Sequence, residues 1–405
     1  MRAEIVAVGD ELTSGQRLDT NSQWLSRQLG DLGIAVGFHT TVSDELGDMV
    51  ASLKIAADRA DIILVSGGLG PTADDLTREA IAQAFDRPLA LDSESLAHLE
   101  RRFAARGTDM PERNRVQAYF PAGSQVIANP NGTAPGIDLA VEISSRQVRL
   151  FALPGVPIEL KEMWLQTVGP TLVGLGGRPN NVIRHYELKC FGVGESRLEA
   201  MLPDMIRRGR DPQVGITVHQ ATITLRVTVC GIDDEECRRK SQPTIDEIRR
   251  LLGPLVFGET GDELQDAVGR MLVAKQRTVA CIESASAGML ALSLSETPHA
   301  AGRLAGGRIA PSWREIAEYL QSDVADEVAA IKLAAEKIRR ELQADYGLAT
   351  GPINESGGYV LAVADANGAV SESSQTLGHP EIHRPRAAKQ ALDLLRRRML
   401  SQDPP

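Results

Sequence analysis

Ser66-Gly67-Gly68-Leu69-Gly70-Pro71-Thr72-Ala73-Asp74-Asp75-Leu76-Thr77 is the stretch on which the reading of this chain turns. Directly before it, Asp61-Ile62-Ile63-Leu64-Val65 is a short apolar, β-branched run of the kind a buried parallel strand requires. Directly after it, Leu76 to Phe85 reads as a helix. A strand therefore passes through a glycine-rich turn into a helix that opens behind two carboxylates. Gly67, Gly68 and Gly70 allow close backbone approach and unusual dihedrals. The helix start offers unpaired N–H groups and a positive dipole end, which suits a phosphate. Asp74 and Asp75 are hard oxygen ligands for a divalent metal ion. A plainer reading is a tight turn with an aspartate near an N-cap. The Gly-Gly pair, Pro71-Thr72 and the paired aspartates occurring together favour the phosphate site.

Outward from this loop the first 175 residues alternate strand and helix. Ala3 to Val8, Ile34 to Thr41 and Asp61 to Ser66 read as strands. Asn21 to Leu32, with Trp24, Leu25, Leu29 and Leu32 at helical spacing, and Glu45 to Arg59 read as helices. This β-α-β-α-β order predicts a parallel sheet covered on both faces, with ligands at the carboxyl ends of its strands. Gly9-Asp10-Glu11 and Ser66 to Asp75 both lie at such ends. So do the amide-rich loop Asn129-Pro130-Asn131-Gly132-Thr133-Ala134-Pro135-Gly136 and the turn Leu153-Pro154-Gly155, after which Pro157 starts another helix.

The chemistry expected there is metal-assisted hydrolysis of a pyrophosphate in a nucleotide-type small molecule. Asp74 and Asp75 are the candidate ligands of a divalent metal of unspecified identity. Asp10 and Glu11 offer a further carboxylate or a general base. The amides of Gly67, Gly68 and Leu69 hold phosphate oxygens, with Ser66, Gly70, Pro154 and Gly155 around them. Thr72 and Thr77 supply hydroxyl contacts or cap the helix. Asn21 contacts a ribose or a phosphate, and Asn129, Asn131, Gly132 and Thr133 line the nucleotide side. Arg78 is read as a surface ion-pair partner, and Glu159 as a helix-start carboxylate facing the dipole.

A net charge of −10 over 405 residues argues against a general nucleic-acid binder, which shows a basic face. An aromatic content of 4% argues against base-stacking platforms. No run approaches the ~18–20 apolar residues of a membrane span. Met1 to Val6 enters a strand directly, without the shape of a signal peptide, so a cytoplasmic location is expected. Cys190, Cys230, Cys237 and Cys281 lack metal or disulfide spacing and are expected as free thiols.

A boundary is expected around Gly174 to Asn180, ending a first domain at residue 175. Residues 181–257 read as a small α+β unit, in which Gly192-Val193-Gly194 is a helix entry. Residues 262–400 return to α/β order. They include a strand over Arg277 to Ile282, a helix over Ala285 to Leu294, a helix over Asp326 to Tyr346 and a terminal helix over His383 to Leu400.

The motifs A-E-I-V-A-V-G-D-E-L at 3–12, D-T-N-S-Q-W-L-S-R-Q-L at 19–29, S-G-G-L-G-P-T-A-D-D-L-T-R-E-A at 66–80, N-P-N-G-T-A-P-G at 129–136 and L-P-G-V-P-I-E-L at 153–160 resemble the CinA (competence/damage-inducible protein A) family. The resemblance covers nearly the whole chain. It implies a three-layer MoaB/Mog-like molybdopterin-binding-type N-domain, a KH-like middle domain and an α/β C-domain of the nicotinamide-nucleotide amidase type. It also implies a homodimer, a metal-dependent ADP-ribose pyrophosphatase in the N-domain and nicotinamide mononucleotide deamidation in the C-domain. The C-domain departs from that pattern. Where the family has E-S-C-T-G-G, this chain has Glu283-Ser284-Ala285-Ser286-Ala287-Gly288. The family's candidate nucleophilic serine falls on Ala301, its tyrosine on Pro311 and its lysine on Ile316. Alanine and isoleucine can serve neither as nucleophile nor as proton carrier, so this domain is expected to keep its fold without its activity. Two further readings stay open: a non-catalytic nucleotide- or molybdopterin-binding regulator, and adenylyl transfer to a pterin phosphate.

Overall fold

The structure, a computed structural model, describes residues 1–105, 107–176, 182–207, 209–323, 325–376 and 378–402. Residues 177–180 of the expected first boundary lie outside the described residues. The chain forms two compact units, one of Met1–Arg184 with Val229–Lys240 and one of His185–Thr228 with Ser241–Pro405.

The first unit is built on a six-stranded sheet. Its order is Ala35–Val42, Arg2–Val8, Ile62–Ser66, Arg146–Leu153, Gly136–Ile143 and Gln125–Ile127. The first four strands are parallel, as expected. The last two add antiparallel pairings beyond the strands that the β-α-β-α-β order covers. The cause is local. Ser144 and Ser145 sit at φ +51° and +66°, and two successive left-handed residues close a two-residue hairpin matched to strand twist.

Side-chain alternation along the strands makes three layers. Val6, Val8, Ile63 and Val65 pack with Leu53 of helix Leu46–Arg59 and with Ala80 and Ile81 of helix Thr77–Ala84. Ala3, Ile5, Ile62 and Leu64 point the other way. They pack with Leu25 and Leu29 of helix Thr20–Asp31 and with Leu160 and Met163 of helix Pro157–Met163. Each valine, leucine, isoleucine or methionine among them, fully buried, contributes about 1.5–3 kcal/mol. With both faces covered, ligands have access at the strand ends.

A four-stranded sheet follows, in the order Gln213–His219, Thr222–Gly231, Val182–Cys190 and Val256–Glu259. Leu198, Ile248 and Leu252 pack with its Leu188, Leu225 and Val227. The last sheet has five strands, in the order Leu304–Ile309, Val279–Glu283, Tyr346–Thr350, Gly358–Asp365 and Gly368–Gln375. The terminal helix runs over His383–Leu400, as read from the sequence.

The helix expected from Ala285 begins later, at Met289. Glu283 explains the delay. Its buried carboxylate accepts the N–H groups of Gly288, Leu290 and Ala291 at 2.9–3.0 Å and the Ser286 hydroxyl at 2.7 Å. Residues 284–288 bend around this group, with Gly288 at φ +94°, so that the orphan donors of the first helical turn find an acceptor. Among the described residues no helix is long and apolar enough to cross a membrane.

Candidate functional site

The glycine-rich loop is held from behind. Gly67 N–H donates to Leu153 O at 3.0 Å and Thr77 N–H to Gly68 O at 3.1 Å. The Thr77 hydroxyl donates to Gly67 O and Arg78 Nη2 to Leu69 O, each at 2.9 Å. Its carbonyls are thus engaged with the helix that follows. The N–H groups of Gly68, Leu69 and Gly70 donate to no group among the described residues. Gly67 sits at φ +111°, and a Cβ there would lie 2.5 Å from Val8 O, so only glycine lets the loop cross the end of the first strand.

This loop forms one wall of a cavity of about 480 Å³. Glu11 reaches it from the end of Arg2–Val8, Asp74 and Asp75 from the loop, Thr133 from the 129–136 segment, and Pro154, Gly155 and Glu159 from the last strand end. Three of these segments follow parallel strands that end at one edge, and the fourth leads into the antiparallel strand Gly136–Ile143, which starts at that same edge. A smaller recess beside it is lined by Asn21 and Ser66.

The carboxylates differ in their state. One oxygen of Asp75 accepts from Thr72 N–H at 2.9 Å and from the Thr72 hydroxyl. Asp74 is exposed and its carboxyl lies below the usual value, the one Thr72 hydroxyl proton being shared between the two carboxylates and Asp74's own backbone N–H adding to the effect. Asp44, also on the cavity wall, is pushed up by burial and by the negative charge of Asp10, Asp74 and Glu11, against the lowering effect of the Asp10 N–H. Among the lining side chains Arg17 is the one cation, against Glu11, Asp44, Asp74, Asp75 and Glu159. An anionic ligand therefore meets an acidic wall unless a cation accompanies it. Among the described residues no group of three or more His, Cys, Asp or Glu is arranged to hold a metal ion. The donors present are all hard oxygens, and they fit a magnesium-like ion that keeps waters and takes phosphate oxygens for its remaining positions.

Several expected contacts have other partners in the structure. Gly67 N–H is committed to Leu153 O, leaving Gly68, Leu69 and Gly70 as the free donors. Asp10 does not line the cavity. It forms a reciprocal clasp with Asp44, at 2.9 and 3.2 Å, joining the ends of two strands. Asn21 Nδ2 donates to Ser66 Oγ at 3.0 Å and to Gly155 O at 2.9 Å, so it stitches three segments together. Thr72, Asn131 and Gly132 do not line the cavity either. Asn129 is buried and organises its own loop. Its amide donates to Ala134 O and Glu159 Oε2, and its oxygen accepts from Asn131 and Gly132. Glu159 is accordingly a loop anchor rather than a dipole partner alone.

Arg78 is the clearest correction to the surface reading. It is 1% exposed beneath the glycine-rich loop, and burial lowers its pKa to about 10, so it stays charged at neutral pH. Four features escaped sequence reasoning. Asp44 follows the strand Ala35–Val42 and was reachable by the strand-end argument. Arg17, Arg102 and Gln117 carry no local signal. Arg102 donates to the carbonyls of Asn129, Pro130 and Asn131, and Gln117 lies in the 3₁₀ helix Glu112–Ala118 on the cavity wall.

In the last domain the remaining hydroxyls near the altered amidase motif are engaged. Ser284 donates to Ala310 O, Ser286 to Glu283, and Ser312 to Glu315. Ile316 is fully enclosed, packed with Tyr319 and Ala334.

The fold is that of a multidomain α/β protein with a three-layer first part. Residues 4–173 match the family described as probable molybdopterin binding domain, residues 185–258 the damage-inducible protein CinA KH domain, and residues 261–399 the CinA C-terminal domain. A CinA-like protein of Deinococcus radiodurans is 35% identical over 97% of this chain and 96% of its own length. A putative competence-damage inducible protein of Desulforamulus reducens is 35% identical over 88% of each. Among solved structures, the protein CinA of Thermoplasma acidophilum is 30% identical over 42% of this chain and 96% of its own, with a TM-score of 0.39. The chain belongs to the CinA family.

Proposed function

We propose that the N-terminal domain hydrolyses a nucleotide pyrophosphate such as ADP-ribose with the help of a divalent metal ion. The observation that carries this reading is the meeting of three unpartnered loop amides with Asp74, Asp75 and Glu11 in one cavity. The amides of Gly68, Leu69 and Gly70 hold phosphate oxygens. Asp74 and the free oxygen of Asp75 are the groups that would hold the cation, which supplies charge neutralisation on the phosphates when bound. Water adds to one phosphorus, the bridging P–O bond breaks, and the bridging oxygen leaves on the second phosphate. Glu11 takes the proton of that water. Asp75→Asn keeps an acceptor for Thr72 while removing the charge. It is expected to lower ADP-ribose hydrolysis roughly 100-fold or more with the fold intact by circular dichroism. Full activity in Asp74→Asn and in Asp75→Asn removes the assignment.

The C-domain, on this reading, has lost nicotinamide mononucleotide deamidation. The position of the family's nucleophilic serine is Ala301, that of its lysine is an enclosed isoleucine, and Ser284 donates to a backbone carbonyl. Turnover of nicotinamide mononucleotide by the full chain, persisting in Asp75→Asn, contradicts this. The alternative for the N-domain is binding of a nucleotide or a molybdopterin without turnover, which the probable molybdopterin binding description of its family favours. Calorimetric binding of ADP-ribose with magnesium and no product separates it from the hydrolase.

A further inference from the structure

Native proteins leave few buried polar atoms without a partner, and each exception calls for a cause. Among the described residues of 1–176 the orphaned buried side-chain atoms are Ser22 Oγ, Arg78 Nε, Glu79 Oε2 and Gln117 Nε2. Of these residues only Gln117 lines the cavity. Its side chain is fully buried. Its oxygen is occupied by the Asn114 amide at 3.3 Å, which directs the two donors of Nε2 away from Asn114. A cavity whose anion-binding groups lie elsewhere is therefore bordered by a buried neutral donor pair with nothing to receive it.

We propose that Gln117 Nε2 donates to a ring acceptor of a planar heterocycle seated in this cavity, and that this contact selects the ligand's base. The inference rests on the nucleotide-binding reading above and deepens it. The class of acceptor follows from the class of donor. Phosphate oxygens are served by the half-buried Gly68–Gly70 amides, beside which the exposed Asp74 lets a cation join the charge. A buried neutral amide pairs best with a neutral acceptor, a ring nitrogen or carbonyl oxygen, and the pair gains strength from the low dielectric around it. Thr133 and Ala134 also line the cavity, from a segment whose register Asn129 and Arg102 hold. A small rotation of the Gln117 amide, restrained by one long hydrogen bond, presents its donors to the ring. A site built around such a donor rejects a ligand lacking the acceptor.

The test uses the full chain with magnesium, reading affinity by calorimetry. The probes are ADP-ribose, its 1-deaza, 3-deaza and 7-deaza adenine analogues, a 6-substituted pterin phosphate, and inorganic pyrophosphate, which has no ring. Gln117→Met keeps the side-chain length and removes the donors. It is expected to weaken the heterocyclic ligand roughly tenfold and to leave pyrophosphate unchanged. With the unaltered protein, one deaza analogue is expected to lose about the same factor, and Gln117→Met is expected to show no further loss with it. If the pterin binds and ADP-ribose does not, the same loss on the pterin identifies the other source of the ring. Equal weakening of pyrophosphate and ADP-ribose, equal binding of all deaza analogues by the unaltered protein, or no binding of either heterocycle overturns the inference. Ring-selective binding without any product leaves it standing while removing the hydrolase.

Discussion

Asn129 Nδ2 donates to Glu159 Oε2 at 2.7 Å, linking the amide-rich loop to the first turn of the helix Pro157–Met163. Thirty residues separate the two in sequence, and their pairing sets one wall of the cavity. The same Asn129 side chain also accepts from the N–H of Gly132 at 2.7 Å and donates to Ala134 O at 2.9 Å.

Asn129→Ala therefore orphans several groups at once. The expected cost is about 2–3 kcal/mol, seen as a fall in melting temperature of roughly 5–10 °C. Faster hydrogen exchange at Asn131 and Gly132 locates the effect. Unchanged exchange there shows that the loop does not depend on Asn129.

Gly67→Ala and Gly155→Ala make a matched pair. At Gly67 a Cβ meets Val8 O at 2.5 Å with φ at +111°; at Gly155 the nearest atom is Gly67 Cα at 3.6 Å, an ordinary contact. Gly67→Ala is expected to cost about 1–3 kcal/mol or more, and Gly155→Ala within about 0.5 kcal/mol of zero. Chemical denaturation of both variants gives the comparison, and equal stabilities refute the steric argument.

Glu283→Ala removes the acceptor from three N–H groups and a hydroxyl in a buried turn. A loss of about 3 kcal/mol or more is expected. Calorimetry is expected to show one transition lowered while ADP-ribose hydrolysis at 25 °C persists. An unshifted thermogram shows that water replaces the carboxylate.

Asp365 yields a pH dependence. Burial raises its pKa, but Arg398, the Asn367 N–H and Gln402 outweigh that and hold it below the ordinary value of 3.8. A depressed folded-state value means that the stabilisation is complete above the unfolded value and is lost as pH falls through the folded one. Asp365→Asn is thus expected to be less stable than the parent by a constant margin at pH 5–7. The margin should shrink below pH 4, and one that grows on acidification has the wrong sign.

Much of this architecture is legible along the chain. Ile62 to Val65 places successive side chains on opposite faces, and both faces are apolar, so a buried parallel strand follows from period two alone. The strand-end argument then gathers Glu11, Asp74, Asp75, Thr133 and Gly155 at one edge, and in the structure all five line one cavity. Boundaries shift where a tertiary partner intervenes, as at Met289, whose helix waits for Glu283. Arg78 reads as a surface charge because nothing local says otherwise; the loop that covers it and the carbonyl it binds are set by packing.

The sequence by itself determined the order of strands and helices, the glycine-rich turn and its carboxylates, and the family. All of these depend on residue type and short-range spacing. Tertiary structure alone decided which polar atoms remain free for a ligand. Asn21 finds its acceptor 134 residues away at Gly155, Gly67 gives its N–H to Leu153, and Gln117 finds no acceptor for its amide. A hydrogen bond depends on positions in space, and the chain must be folded before any donor has a partner to keep or to lack.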